Sequence, residues 1–536
     1  MIRLNNIKAP LDYSEAWLMR SAARILGVRE SQIASCSLVR KSVDARKMDA
    51  VCFVLNLDVG LSVDEKPIAS RLSQAQGGIL APSALPTIIR PARLPDSRPV
   101  VVGFGPAGMF ASLLLAEAGL SPLILERGRD VDSRMKDVQA YWTDGDKAFS
   151  PVSNVQFGEG GAGTFSDGKL NTGIKDNWAD FVLRTFVRFG APAEILTDAK
   201  PHIGTDKLSV VVKNLREHLI RLGAEVQFEA RLTHVVQSGG RVQAVLYEDH
   251  GISRETACDS VILAIGHSAR DTFTHLLSDR YTLLQKPFSI GARIEHPQTS
   301  IDRAQYGASA GNPHLPPADY KLSCHLSNGR GVYTFCMCPG GEVVAAASEP
   351  ESVVTNGMSR YARDARNANS ALLVGIGPED FGSDHPLAGM FLQRSIEQQA
   401  FVLGGSGGKA PCQSVGSLLH RASGETITPS YRPGVVDCPL DRLLPSFVVD
   451  SMREALPLFG RRIRGFDAPE AVLTGPETRS SSPVRMPRDK QFMSVDAAGL
   501  YPCGEGAGYA GGITSAAVDG LRCASALLES LSEKEV

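Results

Sequence analysis

The sequence predicts an α/β protein of several domains, and three observations support this class. The chain has 536 residues, more than a single hydrophobic core usually serves. An apolar run at 100–102 is followed by a glycine-rich turn, a helical segment and a second apolar run at 123–125, which is the pattern of a βαβ unit. The 52 glycines are concentrated in a few loops, where backbone can approach a ligand closely. These features predict a discontinuous Rossmann-like domain with further α/β parts attached.

The order of the predicted elements divides the chain into five parts. An amphipathic stretch at 13–26 and an apolar strand at 51–59 predict a small N-terminal unit, and the prolines that follow predict a semi-rigid linker. Beyond residue 285, strands such as 332–337 and helices such as 358–370 predict a separate lobe. The predicted parts are a small N-terminal α/β domain at 1–75, a Pro-rich linker at 76–98, the first part of the dinucleotide-binding domain at 99–285, an inserted α+β substrate lobe at 286–460 and the C-terminal part of the dinucleotide-binding domain at 461–536.

Four further elements are predicted inside the discontinuous domain. Residues 224–247 alternate apolar and polar side chains on either side of a Ser-Gly-Gly turn at 238–240, which predicts an antiparallel hairpin. Residues 261–265 predict a buried strand that ends in glycine. A short strand at 499–503 and an Ala/Leu-rich helix at 513–528 close the chain.

Composition and charge exclude several classes of protein. Hydrophobic residues make up 43% and charged residues 21% of the chain, which is typical of a globular protein. A net charge of -2 provides no global field for nucleic acid, and no apolar run is long enough to span a membrane. Ten cysteines are too few for a disulfide scaffold of this size. We therefore expect a cytoplasmic protein that acts on a small molecule; the sequence carries no signal for an oligomeric state.

The strand, turn and helix at 100–117 predict a dinucleotide site. The turn reads GFGPAG, in which Gly103 permits the tight turn, Gly105 lets backbone approach a pyrophosphate and Gly108 permits close packing of helix on strand. Glu126 ends the second strand, where an acidic side chain accepts hydrogen bonds from a ribose. The predicted cofactor-binding residues of this unit are Gly103, Gly105, Pro106, Ala107, Gly108, Glu126 and Arg127.

Three distant segments favour FAD over a nicotinamide as the resident dinucleotide, because an isoalloxazine extends beyond the first βαβ unit. The segments are a glycine-rich loop at 158–169, the glycine that follows the strand at 261–265, and a strand, acidic turn and glycine-opened helix at 501–513. A second strand-GxGxxG-helix unit is missing, so NADH or NADPH is expected only as a transient electron donor. The predicted FAD contacts in these segments are Gly160, Gly161, Gly163, Lys169, Gly266, Gly504, Glu505, Gly511, Gly512 and Ile513.

These strings, with the segments at 157–170, 286–297 and 335–341, resemble a bacterial family of FAD-dependent dehydrogenases in the glutathione-reductase-like flavoprotein superfamily. The resemblance spans most of the chain. It implies bound FAD, a bacterial cytoplasmic setting and an FAD domain interrupted by an inserted lobe. By analogy with the superfamily, it also implies that backbone at Arg231 and Leu232 contacts the adenine. It implies no particular substrate.

Cys336 and Cys338 are the first candidates for chemistry. In a strand they share one face, from which two thiols can meet a flavin. The alternative interpretation is a pair of small packing residues, which is common for free cysteine. A metal site is not expected, because the sequence offers no further pair of ligands at metal-binding spacing. Cys503, next to the acidic turn, is interpreted as a packing residue.

Polar clusters provide the other candidates. His267, Arg270 and Asp271 follow one predicted strand, while Arg293, Glu295 and His296 follow Gly291, and the fold is expected to bring both groups toward one cleft. A third group surrounds a Ser-Ser-Ser-Pro segment shortly before the C-terminal glycine-rich turn, where guanidinium groups can clamp a carboxylate or phosphate: Arg479, Arg485 and Arg488. The alternative for each cluster is structural ion pairing.

The sequence thus favours an FAD-dependent oxidoreductase that transfers hydride between a small, anionic organic substrate and flavin N5. Two alternatives stay open. One is a flavin-dependent RNA-modifying or RNA-binding protein that uses the N-terminal unit, although the net charge argues against it. The other is a flavin redox sensor without catalytic turnover that works through Cys336 and Cys338.

Overall fold

The computed structural model describes residues 1–80, 85–91, 94–174, 176–422 and 424–533. The N-terminal part forms a four-stranded sheet in the order β2-β3-β1-β4, with an amphipathic helix packed on it. Its elements are β1 (Ile2–Ala9), α1 (Glu15–Leu26), β2 (Ile33–Asp44), β3 (Cys52–Leu61), α2 (Lys66–Ala69) and β4 (Gly77–Ile79). Because β4 pairs with β1, this unit extends past residue 75 into the predicted linker. The described residues from 85 to 99 hold no helix or strand, and Pro82 lies outside the described residues.

A five-stranded parallel sheet forms the centre of the molecule, and the α/β class is confirmed. Its elements and those attached to it are β5 (Val100–Val102), α3 (Pro106–Glu117), β6 (Leu123–Leu125), α4 (Val131–Asp144), α5 (Asn177–Arg188), α6 (Thr205–Arg221), β7 (Glu225–Gln227), β8 (Ala230–Ser238), β9 (Arg241–Asp249), β10 (Ile252–Ala257), β11 (Val261–Leu263), α7 (Arg270–Ser278) and β12 (Leu284–Gln285). The predicted hairpin is confirmed, since β8 and β9 pair antiparallel across the Gly239-Gly240 turn, and β10 extends the pair.

The inserted lobe is built on a larger, mostly antiparallel sheet in the order β14-β15-β17-β13-β20-β18-β19, with β16 beside β15. Its elements are β13 (Phe288–Pro297), α8 (Gln298–Tyr306), β14 (Ser323–His325), β15 (Gly331–Ala345), β16 (Thr355–Met358), β17 (Asn367–Ile376), α9 (Ala388–Leu403), β18 (Ala410–Ser414), α10 (Val415–Leu418), β19 (Val435–Asp437), α11 (Ser446–Arg462) and β20 (Val472–Glu477). Because β20 is hydrogen-bonded between β13 and β18, this sheet continues beyond residue 460.

The predicted helix at 358–370 is wrong. Residues 359–366 form an irregular loop in which Arg363 adopts a left-handed φ of 52°, and the chain then enters the buried strand β17. Strand β17 pairs with β13 on one side and β15 on the other, so long-range pairing outweighs the local helical composition.

The chain returns to the parallel sheet after the lobe. The last elements are β21 (Val484–Arg485), β22 (Leu500–Pro502) and α12 (Ile513–Glu533), and they complete the sheet order β22-β11-β5-β6-β7. Helix α12 packs tightly on α3, because a Cβ at Gly520 would lie 2.1 Å from the Ala107 carbonyl oxygen. This contact holds the N-terminal ends of the two helices together. None of the helices in the described part of the chain has the length and apolar character needed to cross a membrane.

Candidate FAD site

A cavity of about 500 Å³ lies at the carboxyl ends of four strands of the parallel sheet. Val102, Leu125, Ala264 and Glu505 line it where β5, β6, β11 and β22 end or just beyond them. Its other wall comes from the lobe, through residues of β15, β16 and β20. Open α/β sheets bind nucleotides in this crevice, outside the carboxyl ends of the strands.

Most of the predicted cofactor-binding residues line this one cavity, although they come from six separate segments. Those that line it are Gly103, Gly105, Pro106, Ala107, Glu126, Arg127, Gly161, Gly163, Lys169, Arg231, Leu232, Gly266, Glu505, Gly511, Gly512 and Ile513. Gly108, Gly160 and Gly504 are not among the lining residues. They permit close packing instead: a Cβ at Gly108, for example, would lie 1.9 Å from the Gly103 carbonyl oxygen.

Two glycine loops lie side by side in the cavity wall and touch each other at Gly105 and Gly161. Gly105 caps α3, and a Cβ there would lie 3.7 Å from the Cα of Gly161 in the second loop. Gly103 has a φ of 94°, and a Cβ on it would lie 2.3 Å from the Ala264 carbonyl oxygen, so only glycine fits. Backbone amides at the start of α3 therefore open on a narrow cradle with no side chains, which suits a pyrophosphate.

Glu126 joins these two loops through its carboxylate. One oxygen accepts hydrogen bonds from the amides of Gly128 (2.8 Å) and Gly158 (3.0 Å), and the other accepts one from the amide of Phe104 (2.8 Å). Glu126, which the sequence predicts to bind a ribose, therefore also fixes the spacing of the two loops. A carboxylate has about four acceptor positions, so one is left for a ribose hydroxyl.

Arginines line the end of the cavity near β6 and β8. Arg127 lies over the ring of Phe157, 3.9 Å from its centroid, and forms a bidentate pair with Asp271. Arg231 binds the same carboxylate at 2.8 Å and also pairs with Glu248. The two guanidinium groups overcome burial and hold the pKa of Asp271 well below its usual range. This rigid, flat-walled end suits the adenine.

The opposite end holds an acid and a helix N-terminus. Glu505 follows β22, and burial raises its pKa to about 7, although Lys286 acts in the other direction. Gly511, Gly512 and Ile513 bring the first turn of α12 to the same end. The positive end of the helix dipole stabilises negative charge on a bound ring system.

The raised pKa of Glu505 predicts a pH-dependent stability for the cofactor-free protein. The folded protein keeps a proton on Glu505 that the unfolded chain releases above about pH 4.3, so Glu505 lowers stability progressively as pH rises from about 4.3 to 7. We expect Glu505→Gln to increase the thermal midpoint relative to wild type, and to do so more at about pH 8 than at about pH 5. Scanning fluorimetry measures this, and Glu255→Gln at an exposed position is the control. A difference that is constant with pH would contradict the prediction.

The polar cluster around His267 consists of buried ion pairs. Arg270 and Arg479 both bind Glu397, whose carboxylate accepts hydrogen bonds from the two guanidinium groups at 2.8 to 3.0 Å. His267 and Arg479 line the cavity, whereas Glu349 and Glu397 lie behind them. Burial and the two arginines lower the pKa of His267 to about 3. His267 is therefore neutral at physiological pH and too weakly basic for a general base.

Of the predicted candidates for chemistry, Cys336 and His267 line the cavity, whereas Cys338, Arg293 and Arg485 are not among its lining residues. The two cysteines do not share a strand face as predicted, because the β15 register shifts between 335 and 338 and Cys336 has a φ of 44°. Arg293 is fully buried in β13 and pairs with Glu477, which does line the cavity.

The other predicted polar groups turn away from the cleft. Glu295 binds Ser430, His296 bonds to the Phe466 carbonyl, and neither residue is among those that line the cavity. The arginine clamp is also incomplete, since only Arg479 reaches the cavity. Arg485 lies over the ring of Tyr509, 4.7 Å from its centroid, and Arg488 pairs with Asp519.

Cys503, Asp519 and Cys523 lie close enough together to hold a metal ion. The Arg488 guanidinium lies beside these three residues, 3.6 Å from the Cys523 sulfur, so the cluster already contains a positive charge without a metal ion. Cys503 is fully buried, in agreement with a packing role.

Three charged side chains at or directly behind the cavity wall were not predicted from the sequence. Asp167 lies within the predicted loop at 158–169 and binds Arg363 from the lobe. Glu477 lies two residues before Arg479, on the strand that supplies the lobe wall. The glycine-rich loop was a usable signal for Asp167, but no local pattern marks Arg363 or Glu477.

Comparison with known proteins identifies the cofactor. Residues 287–480 match the family model of the FAD-dependent protein, C-terminal domain-like, and residues 1–60 match a domain of unknown function. A protein of Clostridium beijerinckii, described as uncharacterized, is 45% identical over 533 residues, which are 98% of each chain.

Among solved structures, the chain is similar to a geranylgeranyl bacteriochlorophyll reductase-like protein of Thermoplasma acidophilum, with 15% identity over 82% of this chain and 79% of that one and a TM-score of 0.36. It is also similar to a flavoprotein/dehydrogenase of Cytophaga hutchinsonii, with 13% identity over 82% and 80% of the two chains and a TM-score of 0.37. Because these TM-scores are low, the assignment of FAD rests on the family model.

The cavity fits an FAD molecule on its own evidence. Gly105 and Gly161 line the cavity with backbone alone, which suits a pyrophosphate, and the N-termini of α3 and α12 open on the same cavity. The chain belongs to one family with the Clostridium beijerinckii protein, and it is an FAD-dependent protein.

Proposed function

We propose that the protein is an FAD-dependent oxidoreductase of the glutathione-reductase-like kind, in which hydride passes between a small anionic organic substrate and the flavin. The proposal rests mainly on one observation: the lobe places the polar residues of β15, β16 and β20 opposite the glycine loops, in the same cavity. FAD, when bound, supplies the hydride acceptor or donor at N5. The chain supplies the chamber in which a substrate can be held against it.

The glycine loops and the acidic turn hold the cofactor in this proposal. Arg127 and Arg231 would hold the adenine, the backbone at Gly103 and Gly105 would hold the pyrophosphate, and Glu505 would contact the ring system. Glu126 binds the adenosine ribose through its free acceptor position. The first turn of α12 favours negative charge at the near edge of the ring, which raises its reduction potential.

The anionic character of the substrate follows from the network behind His267. Three arginines, Arg270, Arg394 and Arg479, share two carboxylates, Glu349 and Glu397. The network therefore carries one excess positive charge, and Arg479 presents it to the cavity. A substrate carboxylate near Arg479 would balance that charge in a region of low dielectric constant.

Anaerobic reduction of the purified, FAD-loaded protein tests the proposal. We would record the visible flavin band, then add NADH, NADPH or a panel of small hydroxy and amino acids. Fast bleaching with a nicotinamide would identify a reductase, and the panel of oxidised acids would then be tried as acceptors. Bleaching only with an organic acid would identify a dehydrogenase. If no donor bleaches the band and no organic acceptor reoxidises chemically reduced FAD, the proposed hydride transfer is wrong.

A further inference from the structure

The backbone around Cys336 and Cys338 is held in an unusual local shape. A bulge interrupts β15 at this point, and Cys336 adopts a left-handed φ of 44°. Two cations hold the bulge in place: the Lys169 ammonium donates to the Met337 carbonyl, and the buried Arg293 guanidinium donates to the Cys336 carbonyl at 3.2 Å. The bulge turns the Cys336 side chain into the cavity.

The bulge also brings the two thiols together. The Cys338 thiol lies 3.2 Å from the Cys336 carbonyl oxygen and is within hydrogen-bonding reach of the Cys336 sulfur. Cys338 is fully buried, whereas Cys336 is partly exposed on the cavity wall. One sulfur therefore faces the cavity and the other lies directly behind it.

The charges around this pair favour a thiolate on Cys336. Among the described residues, three cations, Lys169, Arg293 and Arg363, meet two paired carboxylates, Asp167 and Glu477. One positive charge is left over beside the two sulfurs.

Glu505 is a further acid that interacts with Cys336. It lies at the ring end of the same cavity, where its raised pKa leaves it partly protonated at neutral pH. The Cys338 hydrogen bond and the Lys169 charge lower the pKa of Cys336, while burial beside this thiolate raises the pKa of Cys338. One thiolate and one thiol, adjacent to each other, are the two forms that thiol–disulfide chemistry needs.

We propose that Cys336 and Cys338 are a two-electron redox pair that exchanges electrons with the bound FAD. In the oxidising direction, an S–S bond forms between the Cys336 thiolate and the Cys338 thiol, the S–H bond of Cys338 breaks, and two electrons and that proton pass to FAD. In the reverse direction, reduced FAD returns them and the S–S bond breaks. The proposal rests on FAD occupying the cavity as proposed above, but not on hydride transfer from a small organic substrate.

Anaerobic reductive titration of the holoprotein tests the pair directly. The FAD-loaded protein is first oxidised with diamide, freed of it, and titrated with dithionite. We expect wild type to take up about four electrons per FAD, two by the flavin and two by the disulfide, and Cys338→Ser to take up about two. Cys523→Ser is the matched control, because it removes one thiol of the second close cysteine pair, outside the cavity, and should leave the uptake at about four.

Two further measurements keep the test independent of folding and of turnover. Peptide mapping of the oxidised wild type should find a Cys336–Cys338 link. Alkylation of the reduced holoprotein by iodoacetamide should be fastest at Cys336, and Lys169→Met should move the pH midpoint of this alkylation upward by about one unit, because the variant removes a charge that lowers the Cys336 pKa. An uptake of about two electrons by oxidised wild type, or alkylation that is unaffected by Lys169→Met, would overturn the redox pair. Failure of hydride transfer alone would leave both readouts intact.

Discussion

Gly105→Asp is expected to yield a folded but colourless protein. A side chain at Gly105 points at the backbone of Gly161 in the second glycine loop, so an Asp carboxylate would crowd that loop and place a negative charge beside the position proposed for the pyrophosphate. Steric overlap and like-charge repulsion in this enclosed cradle should weaken FAD binding by at least about 100-fold, equivalent to about 2.7 kcal/mol. Titration of the cofactor-free variant with FAD, followed by the visible band, measures the loss.

Gly105→Ala is the matched control for this change. The Ala Cβ would lie 3.7 Å from the Cα of Gly161, an ordinary contact, and Gly105 has a φ of -80° that any residue adopts. We therefore expect the alanine variant to stay yellow, with an FAD affinity close to that of wild type. Circular dichroism and the thermal midpoint check the fold of both variants. A Gly105→Asp protein that purifies with stoichiometric FAD would show that the pyrophosphate binds elsewhere.

The second large effect is expected from Glu397→Leu, which should destabilise the protein by about 3–5 kcal/mol. Glu397 is fully buried in α9 and pairs with Arg270 of α7 and with Arg479 after β20. Its loss leaves Arg479 buried without a carboxylate partner. Because these residues join the two walls of the cavity, FAD affinity should fall as well. Urea unfolding of the cofactor-free protein measures the first effect, and FAD titration measures the second.

Glu349→Gln is the control, since Glu349 pairs with Arg270 and Arg394 but its side chain is 26% exposed. Solvent screens that pair, so we expect a cost of about 1 kcal/mol or less in stability.

Lowering the pH should also distinguish wild type from Glu397→Leu. The arginines hold the pKa of Glu397 low, so its stabilising contribution is complete above about pH 4.3 and is lost as pH falls below that value. Wild type should therefore lose more stability than Glu397→Leu on acidification, and parallel pH profiles would contradict this assignment.

The sequence by itself determined the parts of the protein whose signals are local. The strand, glycine turn and helix at 100–117, the hairpin turn at Gly239 and the glycine-opened helix at 513 each depend on residues close together in the chain. Glycine at a tight turn and apolar residues in a buried strand report the conformation of their own segment. The glycine loops of the proposed FAD site could therefore be predicted before their arrangement was known.

Only the tertiary structure decided which side chains meet in the cavity. Arg293 and Glu477 are 184 residues apart, and Arg363 and Asp167 are 196 apart, so no local pattern couples them. The bulge that turns Cys336 toward the cavity depends on Lys169 from another domain, and β17 replaces a predicted helix because β13 and β15 flank it. Periodicity records how one segment is buried, whereas charge pairing and sheet order depend on partners that only the complete fold brings within contact distance.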